Sequence, residues 1–336
     1  MANLQTAFID FHENIKLDNE TPTLIEKRDI LLNKLKDKIS SDAASYSSFN
    51  QGSYAMHTGI YPDDDDFDID VGLEFEINKD DYPDPVKVKK WVKDALDGHT
   101  KSVSIRRSCV TVQYQKNDEP IYHVDFAIYA ASNADGKLYI AKGKEHSEDS
   151  LKIWEVSDPK GLVNIIRNKF EDADDRSQFR RIVRYMKKWR NIMFSNTGNS
   201  APTGIALTVL AYDRFVVKKK YDQVPKTYKY DDFEALLSLV NNIKNSFSVA
   251  YDIDTASFLH TIKIPLPVEP YSDLLAKMTT KQNDAFYDKT VEFSTKLDEV
   301  KNKTLLSEKC TILQEVFGDK FPIKTDKSIV GSSESA

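Results

Sequence analysis

The run Phe67-Asp68-Ile69-Asp70-Val71-Gly72-Leu73-Glu74-Phe75 constrains this chain most, because it reads as a strand and as little else. Side chains at i and i+2 of a strand share a face. Phe67, Ile69, Val71, Leu73 and Phe75 therefore line an apolar side, while Asp68 and Asp70 project together on the other. Two neighbouring carboxylates repel unless a cation lies between them, and hard divalent ions take oxygen ligands. Upstream stands Gln51-Gly52-Ser53-Tyr54, a turn leading into a helix start. Its backbone N–H groups and hydroxyl suit phosphate oxygens. Turn and strand together predict a metal–triphosphate site. Asp66 lies on the same face, but Asp68 and Asp70 are the preferred pair. Phe67, Ile69 and Val71 hold them inside the strand, whereas Asp63 to Asp66 read as loop.

A third carboxylate comes from a later strand, Ile121–Tyr129. There Val124, Phe126 and Ile128 share one face, and His123, Asp125 and Ala127 the other. Three carboxylates converging from neighbouring strands can hold two Mg²⁺ ions, the arrangement that clamps the attacking and leaving oxygens of an in-line phosphoryl displacement. Asp125 is placed to accept the proton of the attacking hydroxyl. A lone Asp-x-Asp is weak, and solvated strand positions would look the same. The ordered set of Gly-Ser, Asp-x-Asp and Val-Asp-Phe is much more specific. His57 and His123 lack metal-ligand spacing with other His or Cys and are expected to be structural or to support the ligand residues from outside.

The first half of the chain alternates helix and strand. Helices are expected from Thr23 to Ile39 and from Pro85 to Leu96, and strands at 103–107, 109–114 and 138–141. From about Trp154 onward the pattern is nearly all helical. Within Arg176–Met193, Phe179, Ile182, Val183, Met186, Trp189 and Met193 form an apolar side, and Arg180, Arg184, Lys187 and Lys188 a basic side. Two readings stand for that basic side: a solvated face, the usual outcome, or a lysine, Lys187 first, that meets the outer phosphates. Thr203 follows Pro202 at a helix start, where free N–H groups and a hydroxyl could meet a phosphate or simply cap the helix. Lys218-Lys219-Lys220 reads as a solvated helix end. The expected division is a core with N-terminal helices over 1–155, a helical lobe over 156–325 and a polar, flexible tail over 326–336.

Composition narrows the partners. A net charge of -6 argues against broad binding to DNA or RNA, which needs basic surface to displace counterions. Two cysteines in 336 residues cannot build a structural zinc site and read as a reduced, cytoplasmic chain. No signal peptide and no membrane span are visible.

These segments resemble the CD-NTase family, the bacterial cGAS/DncV-like enzymes of the polymerase-β-like nucleotidyltransferase superfamily. The resemblance is carried by Gln51-Gly52-Ser53-Tyr54, Phe67 to Gly72, His123-Val124-Asp125-Phe126, the Trp154–Leu162 segment with Ser157-Asp158-Pro159, and Arg184-Tyr185-Met186-Lys187-Lys188-Trp189. It spans roughly residues 45–320 and implies an α+β, bilobed fold: a mixed-sheet nucleotidyltransferase core, a C-terminal helical lobe and an active site in the cleft. The implied activity joins ribonucleoside triphosphates, ATP, GTP or others, into a cyclic di- or trinucleotide with release of pyrophosphate. That product would activate an effector in anti-phage defence (CBASS). Carried over, Asp68, Asp70 and Asp125 would hold two Mg²⁺ ions, with Mn²⁺ as a substitute. Gln51, Gly52 and Ser53 would meet the donor nucleotide, and Lys187 and Thr203 the triphosphate. Thr203 stands where the family usually has Ser. Some family members are conjugated through the C-terminus by a partner protein, which the Ser332–Ala336 end would suit. The rival readings are a transferase that adds a nucleotide to a tRNA, protein or small molecule, and a nucleotide sensor without activity.

Overall fold

A computed structural model describes residues 3–17, 22–62, 67–116, 119–194, 201–224, 226–253 and 256–325. The Asp63–Asp66 loop and the 326–336 tail, both singled out above, lie outside the described residues. The chain runs α1 (Leu4–Ile15), α2 (Pro22–Lys38), β1 (Tyr46–Asn50), α3 (Gly52–Ala55), β2 (Phe67–Phe75), α4 (Pro85–Leu96), β3 (Ser102–Ile105), β4 (Val110–Lys116), β5 (Glu119–Ala130), β6 (Tyr139–Lys142), β7 (Ile153–Val156) and α5 (Pro159–Arg167). It continues with α6 (Ala173–Met193), α7 (Gly204–Arg214), β8 (Lys219–Asp222), β9 (Thr227–Tyr230), α8 (Asp232–Lys244), β10 (Ser248–Asp252), β11 (Ser257–Thr261), α9 (Thr280–Asn302) and α10 (Leu306–Phe317). Among the described residues no helix is long and apolar enough to cross a membrane.

The chain divides into two compact units. One comprises residues 17–168 with 266–272, and the other residues 1–16, 169–265 and 273–336. The first unit is built on a mixed sheet with the path β1-β2-β5-β4-β3, extended by β6 and β7. β2 and β5 run parallel and the other pairs are antiparallel. The two faces of this sheet differ. Ile69, Val71, Leu73, Phe75, Val124, Phe126 and Ile128 bury one face against Val86, Val88, Val92 and Leu96 of α4 and Leu31 and Leu35 of α2. The other face carries only a small apolar group of Ala127, Tyr129 and Ile140, with Phe49 and Leu138 packed on it, and the polar residues of β2 and β5 occupy the rest. Phe49 crosses that face directly over Gly72, where an added Cβ would come within 2.2 Å of the ring.

Local signals fix the helix starts. Asp84 caps α4 by accepting from Val86 N, with Pro85 at the first helical position. Asp158 and Pro159 do the same for α5. α4 also holds a feature its periodicity hides. Lys89 is fully buried, and its Nζ donates to the carbonyls of Arg106, Arg107 and Gly143. Burial pulls its pKa down to about 8.

The second unit packs α1, α6, α7, α8, α9 and α10 around an aromatic core. Phe8 and Phe11 of α1 meet Tyr185 of α6 and Phe317 and Phe321 at the end of α10. These contacts group α1 with the helical unit, whereas the sequence division placed it with residues 1–155. Likewise α5 belongs to the sheet unit, and the change comes at 168/169 rather than 155/156. Two short hairpins, β8–β9 and β10–β11, interrupt the helices. Lys219, expected at a helix end, stands in a strand, its Nζ 2.7 Å from Asp175 and over the Tyr230 ring.

Candidate active site

The polar face of the β2–β5 pair brings the three aspartates together. Parallel register sets Asp70 directly beside Asp125 and Asp68 beside His123. In a ladder, register partners point to the same face, so all four side chains rise from one side of the sheet. His123 Nε2 lies 3.3 Å from Asp68 Oδ1. One ligand atom each of Asp68, His123 and Asp125 fall within 4.8 Å of one another. That set, oxygen-rich with one imidazole, suits a divalent cation. Asp70 is turned toward the preceding turn: its Oδ2 would lie 1.8 Å from a Cβ on Gly52.

This close approach explains Gly52. The residue has φ +65°, and its backbone rests against the Asp70 carboxylate, so both conformation and space exclude a side chain. The turn is tied to β2 by Gln51 N donating to the Asp70 carbonyl at 3.1 Å. Gln51 in turn accepts from the Tyr129 hydroxyl at 2.7 Å. Burial, then the charge of Asp70, pushes the Tyr129 phenol well above its ordinary pKa, which keeps it a donor. Ser53 follows in α3, and its carbonyl accepts from Thr58 N at 3.0 Å.

His123, expected to be structural or to support the ligands from outside, faces Asp68 in register. A neighbour of these carboxylates that escaped the sequence reading is Thr111. Thr111 of β4 is the antiparallel partner of Asp125, and its hydroxyl donates to Asp125 Oδ1 at 2.5 Å. Cys109 Sγ stands 3.6 Å from the same hydroxyl, and burial with the charge of Asp125 pushes its thiol up to about 12. The alternation of Cys109, Thr111 and Gln113 against Val110, Val112 and Tyr114 carried the signal for a polar row on β4. The sequence does not say that β4 lies next to β5.

Lys187 and Thr203 belong to the helical unit. The basic side of α6 is not solvated: Arg184 and Lys187 are 7% exposed and Lys188 3%. Lys187 runs along the start of α7, its Cε 3.6 Å from where a Cβ on Gly204 would sit. Thr203 is exposed and caps α7, accepting from Ala206 N at 3.3 Å. Nearby charges are engaged in packing. Arg181 forms a two-pronged pair with the buried Asp232 at 2.6 and 2.8 Å, and Tyr185 donates to Asp232 at 3.1 Å. Arg184 donates to His12 Nε2 at 3.0 Å. An arginine only donates, so that nitrogen accepts and the ring proton sits on Nδ1, beside Glu13 Oε1 at 3.1 Å. Burial, then the Arg184 charge, lowers the His12 pKa to about 4.

With this geometry in place, the comparisons are specific. The family model of the cyclic GMP-AMP synthase DncV-like nucleotidyltransferase domain matches residues 47–129, which hold the turn, β2 and β5. A cyclic GMP-AMP synthase of Escherichia albertii is 27% identical over 247 residues, covering 69% of this chain and 51% of that protein. The chain thus spans about half the length of this curated relative. Among solved structures, Bradyrhizobium diazoefficiens CdnG in complex with GTP superposes with TM-score 0.68 at 14% identity, over 95% of this chain and 96% of that one. Escherichia coli CdnC with ATP gives 0.67 at 17% identity, over 96% and 99%. Vibrio cholerae DncV gives 0.57 at 16% identity, over 83% and 70%. At these identities the structures speak for the fold alone, an α+β arrangement shared with CdnG, CdnC and DncV. Residues 47–129 thus match the DncV-like nucleotidyltransferase domain, and the chain is similar in sequence to a cyclic GMP-AMP synthase and in fold to CdnG, CdnC and DncV.

Proposed function

We propose that this chain joins ribonucleoside triphosphates into a cyclic di- or trinucleotide second messenger, releasing pyrophosphate, as a signalling enzyme of anti-phage defence (CBASS). The observation that carries the reading is the direct pairing of Asp70 with Asp125 across β2 and β5, with Asp68 one step along the same face. GTP and ATP, bound in the CdnG and CdnC structures, are the first substrates to test. The regulator belongs to the same proposal: E. coli CdnC is known in complex with HORMA, and a partner protein is assigned that role here.

In each transfer a ribose hydroxyl attacks the α-phosphorus of a triphosphate. A phosphorus–oxygen bond forms to the attacking oxygen, the bond to pyrophosphate breaks, and the hydroxyl proton passes to a carboxylate. Asp68, Asp70 and Asp125 would hold the divalent ions, taken as two Mg²⁺, which would supply charge neutralisation and activate the attacking hydroxyl. Asp125 receives the proton. The turn at Gln51, Gly52 and Ser53 orients the donor triphosphate beside Asp70. Each further transfer is of the same kind, the second closing a dinucleotide ring and the third a trinucleotide ring.

The test is a mixture of all four ribonucleoside triphosphates with Mg²⁺, followed by phosphatase and mass analysis. A phosphatase-resistant cyclic product formed without any added acceptor is expected. Product formed only when a tRNA or protein acceptor is supplied contradicts the proposal.

A further inference from the structure

We infer that Thr111 is a positioning residue for the acidic centre, fixing the orientation in which Asp125 presents its carboxylate. The inference rests on the reading of Asp125 as an ion-binding group.

Asp125 stands in the middle of three strands. On the β2 side its register partner is Asp70, with Asp68 close by. Like charges at this spacing repel, and in the ion-free chain repulsion favours any rotamer that carries Asp125 away from them. On the β4 side its partner is Thr111, whose hydroxyl donates to Oδ1 at 2.5 Å. A hydrogen bond to an ionised oxygen is shorter and about twice as strong as a neutral one. Thr111 is 2% exposed, so water does not compete for the carboxylate on that side. The donor is itself held. Val110 and Val112 on either side are fully buried, which pins the β4 backbone, and a β-branched residue is stiff at χ1. Cys109 Sγ backs the hydroxyl at 3.6 Å. One oxygen of Asp125 is thus committed to β4, and the carboxylate is preset before any ion arrives. Partners of this kind orient metal ligands, and their loss typically weakens metal affinity about 10–100-fold.

The experiment is Mn²⁺ binding to the full chain, read by the electron paramagnetic resonance signal of free Mn²⁺, beside a thermal melt. Thr111→Val keeps the shape and removes the donor. Affinity is expected to fall about 10–100-fold, with Asp125→Asn at least as damaging and Thr111→Ser restoring most of the loss. Should Thr111→Val melt early, Thr111→Ala, also without a donor, is expected to show the same loss. If either donor-free variant folds and binds Mn²⁺ as tightly as the wild type while Asp125→Asn does not, the positioning role is overturned and the acidic-centre reading stands. If Asp125→Asn also binds as the wild type does, both fall.

Discussion

The polar face of β2 and β5 and the basic side of α6 are the two densest groups of charge that the sequence singles out, and they spend that charge differently. On the sheet, Asp68 has half of its side chain exposed, and Asp70 and Asp125 are only partly buried. On α6, Arg184, Lys187 and Lys188 are almost fully buried, and Arg181 is locked onto Asp232. A strand can leave one whole face without a core, because its side chains alternate. A helix enclosed by α1, α7, α8, α9 and α10 has no such face. Its charges must be desolvated, and buried charges persist only when paired and hydrogen-bonded. Charge is left open to solvent on the sheet face of one unit and is enclosed within α6 in the other.

That contrast sets the order of expected effects. Replacing Asp70 or Asp125 by Asn should reduce pyrophosphate release by on the order of 10³-fold, the scale of losing a group that meets developing charge. Melting temperature should barely move, because these carboxylates face away from the core. The reverse pattern is expected at Asp232→Ala. This change strands the Arg181 guanidinium inside the helical unit, and breaking a buried pair costs about 3–5 kcal/mol. Chemical denaturation reads that loss.

His12 gives a pH signature. Its native pKa is about 4 against an ordinary 6.5, so between these values the unfolded chain binds a proton that the native chain does not. Stability should fall as pH drops from 6.5 to 4, by up to about 3 kcal/mol at 1.36 kcal/mol per unit. His12→Gln, which keeps an acceptor for Arg184, should remove that slope from melts taken across the window. The smallest effect is at Gly72→Ala. The added methyl meets the Phe49 ring, and such overpacking costs about 1–3 kcal/mol, again read by denaturation.

The sheet face was largely legible in the sequence because period-2 alternation is a local property. Phe67 to Phe75 declares its two sides without knowing its neighbours. Strand order is not local. That Asp70 meets Asp125 and that Thr111 reaches Asp125 both depend on the order β2-β5-β4, and a threonine between two valines reads as ordinary strand. Lys89 was hidden for a similar reason. Its helical phase says nothing about three carbonyls converging from Arg106, Arg107 and Gly143. α6 was legible as a helix, and its apolar side was plain, but the fate of its basic side depended on how many helices surround it. The hairpins β8–β9 and β10–β11 were missed because four- or five-residue strands with exposed side chains leave almost no hydrophobic pattern. The N-terminal helix was expected, but nothing local to it says that Phe8 and Phe11 join the aromatic core of the helical unit.

The central claim is that the Asp70–Asp125 face transfers nucleotides while the buried charges of α6 hold structure. Its most direct test is acceptor-free pyrophosphate release from ribonucleoside triphosphates under Mg²⁺, comparing wild type with Asp125→Asn at matched folding. The account predicts steady release by the wild type and loss on the order of 10³-fold in the variant. Equal release by both chains, or none by the wild type under Mg²⁺ or Mn²⁺, would contradict it.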